Sequence, residues 1–318
     1  MIAVANVPSG KNRGKGYNGG ERSIIMHEVE ARSLLTNRGS MNLYRGCTHG
    51  CIYCDSRSCC YQFTHPFEDV EVKRNAPELL ETILRSKRRR IMIGTGSMSD
   101  PYQPCEEDLR LTRRCLEKID RYGFGATVIT KSDRVLRDID LFERINQKAK
   151  SVLQMTLTVA DDALSRILEP HVCPSSRRYA VLKAFQRRGI PTVVWLTPLL
   201  PFLTDTDENL TQLMDWCLDA GVRGIICFGI GMTLRRGNRE YYYRTLDRHF
   251  PGLSDRYRAA YGNAYEVVSE NNDRLMAKFH ALCASRGILH DPEQCFAYLR
   301  SLPENHPQLS LFGREAPD

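Results

Sequence analysis

From Met41 onward, short runs rich in β-branched side chains alternate with longer stretches in which apolar residues recur every three or four positions. That alternation predicts repeated βα units and a parallel sheet. The runs at 42–44, 91–94, 126–130, 151–158, 192–196 and 224–228 are the strand candidates, with helices between them at 76–87, 106–122, 139–148, 178–188 and 207–220. Several of these helices have plain stops, at Gly123, at Gly189-Ile190-Pro191 and at Gly221. Six strands between residues 42 and 228 give one unit about every 30 residues, the span of a βα unit. A closed eight-unit barrel typically needs about 250 residues, so an open, partial (β/α)6 barrel of the α/β class fits better. After Arg236 the pattern turns helical, with Tyr241-Tyr242-Tyr243 and a run at 272–286, and then polar, with Pro303 and Pro307. The chain is expected to divide into a basic arm and lead-in (1–40), the partial barrel (41–235), a helical C-terminal extension (236–300) and a flexible tail (301–318).

The 318 residues are 42% hydrophobic and 26% charged, which suits a folded globular chain and excludes disorder over the whole length. No apolar run approaches the roughly 18 residues that span a bilayer, and residues 1–20 carry no apolar stretch of signal-peptide type. A cytoplasmic protein with no membrane partner is expected. Lys and Arg number 45 against 38 Asp and Glu, a net charge of +7. The excess falls in clusters at Lys87 to Arg90, Arg113-Arg114, Arg177-Arg178, Arg187-Arg188 and Arg235-Arg236. With the aperiodic basic arm at 6–21, such a surface is compatible with a polyanion such as nucleic acid, although single clusters of this kind are ordinary on solvated helices. Twelve cysteines in a reducing compartment point to metal or redox chemistry rather than disulfides. Five of them, Cys47, Cys51, Cys54, Cys59 and Cys60, fall within 14 residues.

Directly after the first predicted strand stands Cys47-x3-Cys51-x2-Cys54. Three thiolates on one short loop can hold three irons of a four-iron four-sulfur cluster and leave the fourth open to a small molecule. Gly46 and Gly50 let such a loop wrap closely. A structural zinc site completed by His49, Cys59 or Cys60 is an alternative, although zinc cysteines usually come as two separated knuckles and no second knuckle follows. Some of these cysteines can also be read simply as small buried apolar residues.

The loop resembles that of the radical S-adenosylmethionine (SAM) superfamily in its spacing and in the aromatic Tyr53 just before the last cysteine. Further residues are similar to the spore photoproduct lyase-like branch, over about residues 42–200. They are Asn-x-Tyr-x-Gly-Cys at 42–47, Ser99-Asp100-Pro101-Tyr102-Gln103-Pro104 after the second strand and Thr130-Lys131-Ser132 after the third. Leu168-Glu169-Pro170, with Arg178 eight residues on, and Thr197-Pro198 at the end of the fifth strand complete the set. The resemblance implies a radical SAM-type partial barrel in which Cys47, Cys51 and Cys54 hold the cluster while the amino and carboxylate groups of SAM chelate the open iron. One electron, from a donor such as flavodoxin or ferredoxin, then cleaves the sulfonium, and the 5′-deoxyadenosyl radical takes hydrogen from a substrate inside the shielded barrel mouth. On this reading Tyr53 borders the cofactor, Ser99 and Asp100 accept from its ammonium, and Thr156 meets the ribose. Lys131 and Arg178 neutralise its carboxylate, Arg178 in bidentate fashion. Glu169 is either a turn residue or a ribose or substrate contact.

Met98 stands where the lyases carry the cysteine that returns hydrogen to the substrate radical, and a thioether cannot do so. Tyr102 and Cys105 are the candidates to replace it, and thymine-dimer reversal by the lyase route is not the expected reaction. The expected function is a radical SAM enzyme acting on nucleic acid in a repair-related role. Radical modification of a peptide, protein or small metabolite, with Cys59 and Cys60 on an auxiliary cluster, is one alternative; a non-catalytic iron-sulfur or zinc-stabilised adaptor is another. In the tail, Gln308-Leu309-Ser310-Leu311-Phe312 looks like the short peptide that docks bacterial replication and repair proteins on the sliding clamp, against a reading in which the segment folds back on its own domain.

Overall fold

The computed structural model describes residues 25–303. The lead-in gives β1 (Met26–Val29) and β2 (Ser40–Met41), followed by β3 (Tyr44–Arg45), β4 (Val70–Lys73) and α1 (Ala76–Ser86). The repeating units are then β5 (Met92–Thr95), α2 (Glu106–Leu109), α3 (Leu111–Tyr122), β6 (Gly125–Thr130), α4 (Ile139–Lys148), β7 (Ser151–Thr156), α5 (Asp162–Leu168), α6 (Ser175–Arg187), β8 (Thr192–Trp195), α7 (Asp207–Asp219) and β9 (Gly224–Ile226). The remainder holds β10 (Gly231–Thr233), α8 (Asn238–His249), α9 (Leu253–Tyr261), β11 (Glu266–Val268), α10 (Asn272–Ser285) and α11 (Pro292–Arg300).

Six strands form one parallel sheet in the order β2-β5-β6-β7-β8-β9, with β2 and β9 as its outermost strands. Each unit adds its strand beside the last, so the helices gather on one face. There Ile93, Val128, Leu153, Val194 and Ile225 pack with Leu80, Leu116, Phe142 and Phe185 of the helices in the main core. Met92, Val152, Val193 and Ile226, one position out of step, point to the opposite face and pack against Cys295 and Leu299 of α11. The architecture is the partial (β/α)6 barrel that the sequence pattern and the resemblance implied, and the extension plugs its inside.

Three local expectations change. The strand expected at 42–44 splits: Ser40 and Met41 enter the barrel sheet beside Gly94 and Thr95, whereas Tyr44 and Arg45 pair antiparallel with Val72 and Glu71. Those residues belong to a separate three-stranded sheet, β1-β4-β3, that the hydrophobic pattern did not reveal because its strands have two to four residues. The helix expected at 106–122 breaks at Arg110, which adopts φ 48°. The cause is Glu106, drawn into the core, whose carboxylate accepts the Thr112 amide at 3.0 Å, the Tyr44 hydroxyl and the Arg137 guanidinium at 2.8 Å. That carboxylate caps the start of α3, the favourable place for negative charge. The extension, finally, is not wholly helical, since it contains β11, which pairs antiparallel with β10, just before residue 236.

Candidate active site

The cysteine loop leaves β3 at the C-terminal end of the barrel strands and is tied down on three sides. The Cys47 amide donates to Phe67 O at 3.1 Å, the Thr48 amide to Gln103 Oε1 at 3.2 Å and the Ile52 amide to Leu168 O at 3.0 Å. Gly46 has φ +91°, and a Cβ there would stand 2.5 Å from Phe67 O, so only glycine permits the turn that delivers Cys47. Behind the loop, Cys51, Ile52 and Tyr53 pack with Leu234 and with Tyr242, Leu246 and Tyr257 of the extension. The extension is therefore the back wall of the site as well as the plug of the barrel.

Cys47, Cys51 and Cys54 line one cavity with residues at the C-terminal ends of β6 and β7 and just past β5 and β6. Around a single tetrahedral zinc, sulfurs at 2.3 Å from the metal stand about 3.8 Å apart. Among the described residues no three cysteine, histidine or carboxylate ligand atoms at this loop come within 4.8 Å of one another. That spread accommodates a cluster, whose three liganded irons lie apart. Cys59 and Cys60 are exposed and outside the cavity: the Cys59 amide donates to Arg236 O at 2.9 Å, and Cys60 Sγ accepts from Arg235 at 3.3 Å. Burial, aided by the charge of Asp100, pushes the Cys47 thiol up to about 12. Metal loading must therefore expel protons from the loop.

The strand-end residues fall into two groups. Asp100 is an internal brace, accepting from the Tyr102 amide at 2.8 Å, the Thr130 hydroxyl at 2.7 Å and the Lys131 amide at 2.8 Å, with His49 Nδ1 at 3.4 Å. Arg178, fully buried on α6, donates to Cys173 O at 3.0 Å, to Thr156 O at 3.2 Å and to Glu169. Glu169 in turn accepts from the Tyr53 hydroxyl. Burial alone would raise the Glu169 carboxyl, but Arg178 and Lys131 hold it below its ordinary value, so it stays ionised. Expected to bind the cofactor carboxylate in bidentate fashion, Arg178 instead holds Tyr53 and the end of β7 in place through Glu169 and Thr156.

Lys131, Ser99, Thr156, His49 and Met98 form the second group, on the cavity wall. The Lys131 ammonium makes no hydrogen bond or ion pair among the described residues and stands 5.9 Å from the Tyr53 ring centre. Burial would lower it, yet the negative charge of the Cys51 and Cys54 sulfurs when ionised and of the Glu169 carboxylate keeps it above its ordinary value, and it stays charged. His49 Nε2 is buried without a partner, and burial brings this imidazole down to about 4, so it is neutral. A cation and an orphaned neutral nitrogen on the wall that carries three sulfurs fit a cluster with a zwitterionic ligand.

Tyr102 and Cys105 are not brought to this cavity. Tyr102 is fully buried with its hydroxyl on Asp138 at 3.0 Å, and Cys105 lies in the main core with its thiol pushed up to about 12 by burial. Neither is placed to hand hydrogen to a radical, which corrects the expectation for both. Gln103 and His49 carry roles that residue type and spacing do not give: Gln103 has no reactive group to mark it within residues 99–104, and His49 beside cysteines suggests only a zinc ligand.

The Radical SAM superfamily matches residues 41–217. An uncharacterised protein of Mycobacterium tuberculosis (strain ATCC 25618 / H37Rv) is 31% identical over 283 residues, covering 80% of this chain and 81% of its own. One of Methanocaldococcus jannaschii is 33% identical over 171 residues, covering 52% of this chain and 62% of its own. In fold the chain is similar to a mutant spore photoproduct lyase with bound AdoMet and dinucleoside spore photoproduct, with a TM-score of 0.58, 13% identity and coverage of 78% and 74%. A second spore photoproduct lyase complexed with the dinucleoside spore photoproduct gives a TM-score of 0.57, 13% identity and coverage of 83% and 81%. With more than half its length matched, and with the three cysteines spread about one cavity at the strand ends, this chain belongs to the radical SAM superfamily.

Proposed function

We propose that this chain is a radical SAM enzyme whose substrate is nucleic acid. The family's cofactors are a four-iron four-sulfur cluster and SAM, and the observation that carries the reading is the single cavity joining Cys47, Cys51 and Cys54 to the unpaired ammonium of Lys131. When bound, these cofactors supply a one-electron cleavage of the sulfonium and a carbon radical able to abstract hydrogen, with the electron coming from a donor such as flavodoxin or ferredoxin. The chain's own residues do the holding. Cys47, Cys51 and Cys54 ligate the cluster, Lys131 meets the SAM carboxylate, Ser99 and Thr156 offer polar atoms beside it, and Tyr53 is fixed as a wall by Glu169 and Arg178. Met98 lines the cavity, and among the described residues no thiol beyond the three ligands does so. The reaction proposed therefore ends without a cavity cysteine as hydrogen donor, unlike the lyase route.

Three features favour nucleic acid. The net charge is +7. Arg235 and Arg236 lie against the cysteine loop. Phe228, just past the end of β9, is 61% exposed, with Trp195 6.1 Å from it, and offers a face on which a base can stack. The clusters Lys87 to Arg90 and Arg187-Arg188 contribute less, since they run into the N-terminal ends of β5 and β8, away from the cavity. Anaerobic turnover with deuterated DNA or deuterated peptide and protein substrates tests the proposal. Deuterium in 5′-deoxyadenosine from the nucleic acid is expected, and deuterium from the peptide arm alone overturns the substrate class.

A further inference from the structure

β1 and β4 pair in parallel with His27 directly beside Glu71, so both side chains leave the same face of the small sheet. His65 reaches that face from the segment between the cysteine loop and β4, its ring 4.9 Å from His27 and edge-on to it. One ligand atom from each of His27, His65 and Glu71 lies within 4.8 Å of the others.

Both imidazoles are held in the form that binds a metal. His27 Nδ1 stands 2.9 Å from Asp69 Oδ1, a carboxylate that can only accept, so Nδ1 carries the proton and Nε2 the free lone pair. His65 Nδ1 stands 3.0 Å from Pro66 O, a carbonyl that also only accepts, which frees Nε2 in the same way. That His65 Nε2 is buried with no hydrogen-bond partner and lies 3.9 Å from Glu71 Oε2. The Glu71 carboxylate makes no hydrogen bond among the described residues. Arg45, opposite Glu71 on β3, spends its guanidinium on Tyr61 O at 2.9 Å and Gln62 O at 3.1 Å. An oxygen acceptor behind each histidine is the usual support of a metal-ligating imidazole.

We infer that His27, His65 and Glu71 form a zinc site separate from the radical centre, with Asp69 and Pro66 O orienting the two imidazoles. Two nitrogens and a carboxylate with a remaining position open to water suit zinc; about 3.3 Å separates ligand atoms around a tetrahedral ion of this kind, which side-chain rotation can reach. The loop bearing His65 also presents Phe67 O to the Cys47 amide, so an ion here ties the small sheet to the strap that holds the cluster loop.

The full chain with Cys47, Cys51 and Cys54 changed to Ala, stripped with EDTA, removes competing thiolates and is titrated with Co2+ and then Zn2+. About one cobalt per chain is expected, with d–d bands and no thiolate charge-transfer band, displaced by zinc with a rise in Tm. Asp69→Asn should weaken binding roughly 10- to 100-fold, and His65→Ala and the nearly isosteric Glu71→Gln should abolish it. Absent cobalt, a thiolate band assigning the metal to Cys59 and Cys60, or unchanged affinity in both ligand variants overturns the site. Should the triple-alanine chain not fold, the cluster-reconstituted native chain decides: about one zinc beside the iron, lost in Glu71→Gln, supports it, and equal zinc in both chains overturns it.

Discussion

Lys131 and Arg178 looked alike in the sequence, two cations after strands, and both were assigned to one carboxylate. Residue type and position cannot show how many donors a side chain has already spent, and the structure separates the two on that point. Lys131→Met should weaken SAM binding about 10- to 150-fold, the loss of one charge-assisted hydrogen bond, while iron content and stability hold; equilibrium dialysis beside denaturant unfolding checks it. Glu169→Gln should act through stability, leaving the buried Arg178 guanidinium without its counter-charge at a cost of about 3–5 kcal/mol in the unfolding of the cluster-free chain. An undiminished midpoint would return Glu169 to the turn residue that its Leu-Glu-Pro setting also allowed. The three cysteines were legible because their chemistry is local. Gln103 was not, because its hydrogen bond to Thr48 spans 55 positions.

Elements were most legible where a long period repeats. The helix at 139–148 and the strand starting at residue 151 stand where the pattern put them, because α4 has a buried stripe at Leu141, Phe142 and Ile145 and β7 is buried throughout. The small β1-β4-β3 sheet has too few residues per strand to show a period, and the break at Arg110 depends on Glu106 meeting Tyr44 from a distant segment. The role of α11 was equally hidden, since nothing local says that Leu299 fills the barrel. Leu299→Ala is expected to cost about 2–5 kcal/mol by denaturant unfolding, and a cost below about 1 kcal/mol would show that α11 is a surface helix. At Gly96, with φ +104° and a Cβ that would meet Ile129 O at 2.1 Å, alanine should push β5 from β6 and lower both Tm and SAM affinity.

On the scale of the whole molecule, net charge was read correctly but its placement was not, because sequence clusters do not say which end of the barrel they occupy. Arg113 and Arg114 are held in ion pairs with Asp138, Asp140 and Glu78, and Arg177 with Asp133; Arg235 is also paired, with Asp55 at 3.6 Å, and that contact sets Arg235-Arg236 beside the cysteine loop. The basic arm and the clamp-like peptide Gln308 to Phe312 lie outside the described residues. A peptide of residues 301–318 titrated on a bacterial sliding clamp is expected to bind at roughly micromolar affinity and to lose binding when Leu311 and Phe312 become Ala; equal binding of the two peptides removes the clamp as a partner. Radical SAM chemistry in the three-cysteine cavity is read out by iron content together with SAM cleavage in the anaerobically reconstituted chain. About four irons and 5′-deoxyadenosine under a strong reductant are expected, both lost in Cys47→Ala, Cys51→Ala and Cys54→Ala and both kept in Cys59→Ala. Iron-free protein with zinc held by these three cysteines, or SAM cleavage that survives the loss of Cys51, would contradict that assignment.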